Sequence, residues 1–244
     1  MSESKRLFVG IRVSVATANA LAGAAETLAR RARDAKLDIK WVAPVNYHVT
    51  MKFLGSTRVE AITAIRDALD EAATGISRMT LRCARLGAFG SLDKARVLWA
   101  GIEDSSGQLD KLAKQIEAAC ARLGHADPRP FHAHVTLGRL RETRPVREVV
   151  LPLAEQMFGD TKVDSMTLFE SETKPTGSVY RELQRIAFKT AENTASGRAE
   201  RQTGALHLGA RSESRVGDAE SVEGASSADL DTDDGWPRGH SPNT

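Results

Sequence analysis

The sequence predicts an α+β fold over residues 1–189 and a disordered acidic tail over 190–244. Three observations carry this reading. Short, period-2 apolar runs alternate with longer stretches rich in Ala, Leu, Glu and Arg, the pattern of helices packed on largely antiparallel sheet. One pattern, Tyr47-His48-Val49-Thr50-Met51, returns 86 residues later as Ala133-His134-Val135-Thr136-Leu137. Each copy follows a helical stretch and a loop holding Pro44, or Pro128 and Pro130, so two related lobes are expected rather than a solenoid of many short repeats. Composition changes abruptly after Lys189 to Gly, Ser, Ala, Thr and acids, with one aromatic, Trp236. Such a segment buries too little apolar surface to offset the entropy of ordering.

Taken in order, Arg6–Val13 reads as a strand and Ala16–Lys36 as a helix. Asn46–Gly55 alternates strictly and reads as a strand. Val59–Ala73 is an amphipathic helix with Ile62, Ile65 and Leu69 on one stripe. Met79–Phe89 and Ala95–Ile102 are two strands joined by a Gly90-Ser91-Leu92-Asp93 turn. Ser105–Leu123 is a helix ended by Gly124, and His132–Leu140 a strand. Val163–Ser171 and Val179–Phe188 form a last pair around Pro175-Thr176-Gly177.

Charge and composition exclude some classes. No apolar run approaches the roughly 18 residues of a membrane span. Arg12 interrupts the early apolar run, so no signal peptide is expected, and a monomeric cytoplasmic protein is the reading. Cys83 and Cys120 lie in mixed apolar stretches and read as buried thiols. The net charge of +2 conceals an asymmetry. From residue 190 onward five arginines face ten acidic residues, a charge of −5, so the first 189 residues carry +7. A basic body fits a polyanionic ligand, although a solvated surface explains the same numbers.

The candidate chemistry lies in the repeated pattern. Residues two apart in a strand share a face, so His48 projects with Thr50, and His134 with Thr136. Val49, Met51, Val135 and Leu137 are left to anchor the strands. Two imidazoles near neutral pH can divide general acid and general base work, and threonine hydroxyls can donate to oxygens where charge develops. On this view pH dependence is bell-shaped with a maximum near neutrality. Lys52, two residues beyond Thr50, is expected to add positive potential on the same face. His132 and His134 form a His-x-His pair without a third ligand, so no metal is expected. His125 reads as an exposed loop residue. Phe53, Leu54, Trp41 and Trp99 read as core, with a groove-rim role left open for the tryptophans.

Four strings, NYHVTMKFLG, FGSLDKARVLWAGI, RPFHAHVTLGRLR and LFESETKPTGSVYREL, resemble the 2H phosphoesterase superfamily, and within it the RNA 2′,3′-cyclic phosphodiesterases first described as 2′-5′ RNA ligases. The resemblance spans most of the first 188 residues. It implies a bilobal fold, with two pseudo-twofold-related lobes of antiparallel sheet, outer helices and a central groove. It implies hydrolysis of RNA 2′,3′-cyclic phosphate ends, or of cyclic nucleotides, to 2′-phosphomonoesters without a cofactor. His48 would be the general acid and His134 the general base, and Arg139, at a family-like position, would join Thr50, Thr136 and Lys52 at the phosphate. Fragments of tRNA would be among the substrates, and 2′-5′ ligation the reverse reaction. One departure is Ala133, where the family usually has proline. That departure and the tail leave a second reading open, a non-catalytic RNA- or nucleotide-binding module that kept the groove.

Overall fold

A computed structural model describes residues 3–174 and 177–188. The expected tail, with His207, His240 and Trp236, and the turn residues Pro175 and Thr176 lie outside the described residues. Among the described residues are four helices: α1 (Val15–Asp34), α2 (Ile62–Ala72), α3 (Gln108–Ala121) and a single turn, α4 (Arg147–Val150). The strands are β1 (Ser4–Arg12), β2 (Ile39–Trp41), β3 (His48–Arg58), β4 (Met79–Phe89), β5 (Ala95–Glu103), β6 (His134–Arg144), β7 (Met157–Val163), β8 (Ser165–Lys174) and β9 (Gly177–Ala187).

The described strands form one antiparallel sheet in the order β7-β4-β5-β6-β3-β1-β8-β9, with β2 added beside β6. The fold is α+β, as expected, and the strand order explains the two lobes. β3 and β6 meet at the centre, β1, β8 and β9 extend the sheet on one side, and β5, β4 and β7 extend it on the other. The halves do not follow chain order, because β8 and β9 return to flank β1.

The three longer helices each bury one stripe. The Ser14 hydroxyl caps α1 by accepting from the Thr17 N–H at 3.1 Å. Leu21, Ala24, Leu28 and Ala32 form its inner stripe at helical spacing. On α2 the stripe is Ile62, Ile65, Leu69 and Ala72, which contains the three positions read from the sequence. α3 buries Leu109, Leu112, Ala113, Ile116 and Cys120, and the His125 N–H closes its end on the Cys120 carbonyl at 3.0 Å. The helices cross over: α1 leaves β1 but packs on β7, while α3 leaves β5 but packs on β3 and α2. Each half of the sheet thus rests on a helix from the other half. Cys83 and Cys120 are buried free thiols, and burial pushes them up to about 12 and about 11, so both are thiols at neutral pH.

The sequence missed β2 and β7. β2 is three residues long, too short to show a period, and β7 carries Gly159 at a φ of 105° and Asp160, two residue types that strands disfavour. Asn46 is not in a strand; it ends a 3-10 turn, Pro44–Asn46, that leads into β3.

Candidate active site

The two repeated strands meet at a single ladder pair, Val49 opposite Val135. Both valines are fully buried on the helix side. Antiparallel direction then sets His48 beside Thr136 and Thr50 beside His134 on the opposite, groove-facing side. A local twofold axis passes through the valine pair. The sequence repeat is therefore a spatial repeat, and all four residues share one face of the central strands.

Both imidazoles are held the same way. His48 Nδ1 donates to the Asn46 carbonyl at 2.6 Å, and His134 Nδ1 donates to the His132 carbonyl at 2.7 Å. A carbonyl only accepts, so each Nδ1 carries the proton and each neutral ring presents an Nε2 lone pair. Thr50 Oγ1 lies 3.0 Å from His48 Nε2, where its hydroxyl can donate to that lone pair. The 3-10 turn carrying the Asn46 carbonyl is tied down twice. Arg12 Nη1 donates to the Val45 carbonyl at 2.7 Å, and Asn46 Nδ2 donates to the Ser178 carbonyl of β9 at 2.8 Å.

Aromatic rings wall each imidazole. Phe8 lies 4.8 Å from the His48 ring, with Tyr180 edge-on at 5.3 Å. Phe89 lies edge-on to His134 at 4.7 Å and also touches Trp99 and His132. Gly10 permits the first arrangement, because a Cβ there would come within 3.1 Å of His48 Cδ2 and of the Val49 carbonyl. The walls remove part of the water from both rings. Burial drives His48 down to about 4, opposed by its bond to Asn46 and reinforced by the charges of Arg12 and Arg139. Burial likewise drives His134 down to about 4, with His132, Arg139 and His48 adding in the same direction. Arg139 thus acts electrostatically on both imidazoles.

Strict alternation fails at the same point in both strands. Opposite β1, Lys52 faces Val9 and Thr50 faces Gly10, so Met51 is an extra residue in a bulge. Opposite β5, Gly138 faces Leu98 and Thr136 faces Trp99, so Leu137 is the extra residue there. Each bulge turns the next residues over. Lys52 does not face the groove, contrary to the expectation from its spacing. It is buried on the helix side, with Nζ 2.5 Å from Glu117 Oε2 of α3. The other Glu117 oxygen accepts the Asp127 N–H at 2.7 Å, pinning the loop that leads to β6. Phe53, expected in the core, instead reaches the groove face opposite Phe8 and is 48% exposed. Arg139 takes the matching place on β6, which period 2 counted from His134 would have put on the far face.

The Lys52–Glu117 pair has an asymmetric expected cost. Glu117→Ala strands a buried ammonium and should destabilise the protein by about 3 kcal/mol. Lys52→Met keeps the apolar stem and leaves a half-exposed carboxylate that can turn to water, so it should cost about 1 kcal/mol. Urea unfolding midpoints of the two variants check this order.

Nothing in the sequence marks Arg12, Phe8, Tyr180 and Phe89 as site residues. Each read as an ordinary strand residue, and only strand pairing brings them to the imidazoles. His132 rims the site, edge-on to Trp99 at 5.2 Å, and burial lowers its pKa. His125 is half-buried in its loop. At Ala133 the carbonyl accepts the Ile102 N–H at 3.2 Å, so the backbone leading into β6 is held without proline. Among the described residues no group of three or more His, Cys, Asp or Glu is placed to hold a metal ion.

Known proteins resemble this chain in overall sequence and in fold. The profile of a family described as LigT-like phosphoesterase matches residues 15–99 and 101–180, more than half the chain. A curated protein of Archaeoglobus fulgidus, named RNA 2′,3′-cyclic phosphodiesterase, is 30% identical over 147 residues, which cover 60% of this chain and 82% of that protein. A crystal structure from Thermus thermophilus superposes with a TM-score of 0.64 at 25% identity, covering 76% of this chain and 99% of the other. E. coli LigT complexed with 3′-AMP superposes with a TM-score of 0.58 at 27% identity, covering 76% and 99%.

Proposed function

The chain belongs to the LigT-like phosphoesterase family, and from that premise we propose that it is an RNA 2′,3′-cyclic phosphodiesterase that opens the cyclic phosphate to a 2′-phosphomonoester without a metal ion. The observation that carries the proposal is the symmetric pair of imidazoles. Both are fixed through Nδ1 to a backbone carbonyl, both offer Nε2 on one face, and both feel Arg139.

A cyclic phosphate seated between the imidazoles has one in-line side for attack and one for departure. His134 Nε2 takes a proton from the attacking water. His48, protonated on Nε2, gives its proton to the 3′ oxygen as the P–O3′ bond breaks. The Thr50 and Thr136 hydroxyls and the Arg139 guanidinium meet the non-bridging oxygens, where charge grows. The acid and base roles follow the family resemblance, since the local twofold treats the two rings alike. The same step with a 5′-hydroxyl in place of the attacking water forms a P–O5′ bond as P–O3′ breaks, which gives a 2′-5′ linkage and so ligation. The unit carrying this chemistry is taken to be residues 1–189.

The test is incubation with a nucleoside 2′,3′-cyclic phosphate in EDTA, followed by phosphorus NMR of the product. The expected result is a single 2′-phosphomonoester. A protein that binds the cyclic nucleotide but leaves it intact would instead be the binding module considered from the sequence.

A further inference from the structure

Beside the candidate site lies a cavity of about 300 Å³ that the mechanism does not use, apart from sharing Arg12. It opens where β1 leaves the sheet. Arg12 of β1, Thr167 of β8, Glu182 and Arg185 of β9, and Lys162 and Asp164 at the β7–β8 corner line it. Register puts it on the groove side. Arg12 is paired with His48, while Thr50 opposes Gly10, Gly10 opposes Thr167, and Thr167 opposes Arg185. Directly opposed residues share a face, so these positions form one row across β3, β1, β8 and β9. At about 4.8 Å per strand, the row runs roughly 14 Å outward from Thr50.

The cavity carries three cations and two carboxylates. The carboxylates orient the arginines: Arg12 Nε donates to Glu182 at 2.9 Å, and Arg185 Nη2 donates to Asp164 at 2.8 Å while its Nε donates to Ser165 Oγ at 2.7 Å. Lys162 is exposed and has no ion-pair partner among the described residues. One positive charge is therefore left over, on a flexible stem that suits a phosphate approached as a point charge. On the other side of the groove, next to His134, stands the wall of Phe89, Trp99 and His132.

The geometry points to a subsite for the sugar–phosphate backbone of an RNA chain, taking an internal phosphodiester on the 5′ side of the cyclic end. The inference rests on the proposed reaction, which fixes the cyclic phosphate between the imidazoles. A cyclic end closes the 3′ terminus, so the polymer can leave only in the 5′ direction. The cavity beyond Arg12 offers that exit both room and positive charge. Contacts of this kind position a chain without reading its sequence, so the subsite distinguishes polymer from mononucleotide and ignores base identity.

The experiment compares a cyclic mononucleotide with a trinucleotide ending in the same cyclic phosphate. Lys162→Glu should raise KM for the trinucleotide about fivefold with kcat unchanged, and Arg185→Gln should act in the same direction. Lys162→Ala should lower the salt slope of trinucleotide binding by about one. Neither residue belongs to the catalytic set, so both constants for the mononucleotide should stay at wild-type values. Equal changes for the two substrates, or none for either, overturn the subsite. Should wild-type protein open neither substrate, the reaction itself is wrong. The subsite is then judged by fluorescence anisotropy of a labelled trinucleotide 2′-phosphate, where an unchanged Kd in Lys162→Glu overturns it and a weakened one supports it.

Discussion

Alanine at His48 or at His134 should lower kcat/KM for a 2′,3′-cyclic phosphate by roughly 10²–10⁴-fold, the usual contribution of a positioned general acid or base. The double variant should be little worse than the poorer single one, because both groups act on one transition state. Folding should survive. Both rings are half-buried on the groove face, whereas the strands are anchored by Val49, Val135, Leu137 and Met51 on the other side. Circular dichroism and the unfolding midpoint check that point separately. A double variant turning over near the wild-type rate would remove both imidazoles from the mechanism.

The second large effect is in pH. The sequence alone suggested a maximum near neutrality, but the aromatic walls and neighbouring cations bring both free imidazoles down to about 4. The reaction needs one ring charged and one neutral. In the free protein the singly protonated pair therefore peaks near pH 4 and falls tenfold for each unit above it. Because kcat/KM refers to the free protein, it should decline with a slope close to −1 between about pH 5 and about 8. A bound phosphate places negative charge beside the rings and raises their affinity for the proton, so kcat should hold to higher pH than kcat/KM. The same displacement bears on stability. An unfolded histidine titrates near about 6.5, so each depressed ring contributes stability that is present above 6.5 and lost as pH falls through about 4. Rate profiles in pH, with NMR titration of the two rings before and after adding inorganic phosphate, test both statements. A flat kcat/KM from about pH 5 to 8 would show that neither imidazole controls the rate.

Much of this was legible in the sequence because periodicity and repetition are local properties. The strands around His48 and His134, the α2 stripe and the β4–β5 pair follow from residue spacing alone. Lys52, Phe53 and Arg139 show where that reasoning stops. A bulge depends on register with a neighbouring strand, and β1 and β5 are distant in sequence from the strands they pair with. Counting by twos therefore put Lys52 in the groove and left Arg139 to family resemblance. Arg12 and the aromatic walls were hidden for the same reason, since Phe8 reaches His48 only across a sheet. The depressed imidazoles follow in turn, because burial by rings from four strands cannot be read from any one of them.

The position of β1 has a consequence for how the chain is made. It lies between β3 and β8, so one of its edges is covered by residues near its own end of the chain, the other only by residues 167–170. At about 5–20 residues per second, a ribosome needs roughly 8–32 s to go from Arg12 to Glu170. Throughout that interval Leu7–Gly10 offers an open, apolar strand edge, the kind that recruits other nascent strands. Phe8, which later walls His48, is part of that edge. Its crowded surroundings in the finished protein are thus also what must be kept apart from other chains until translation has passed β8.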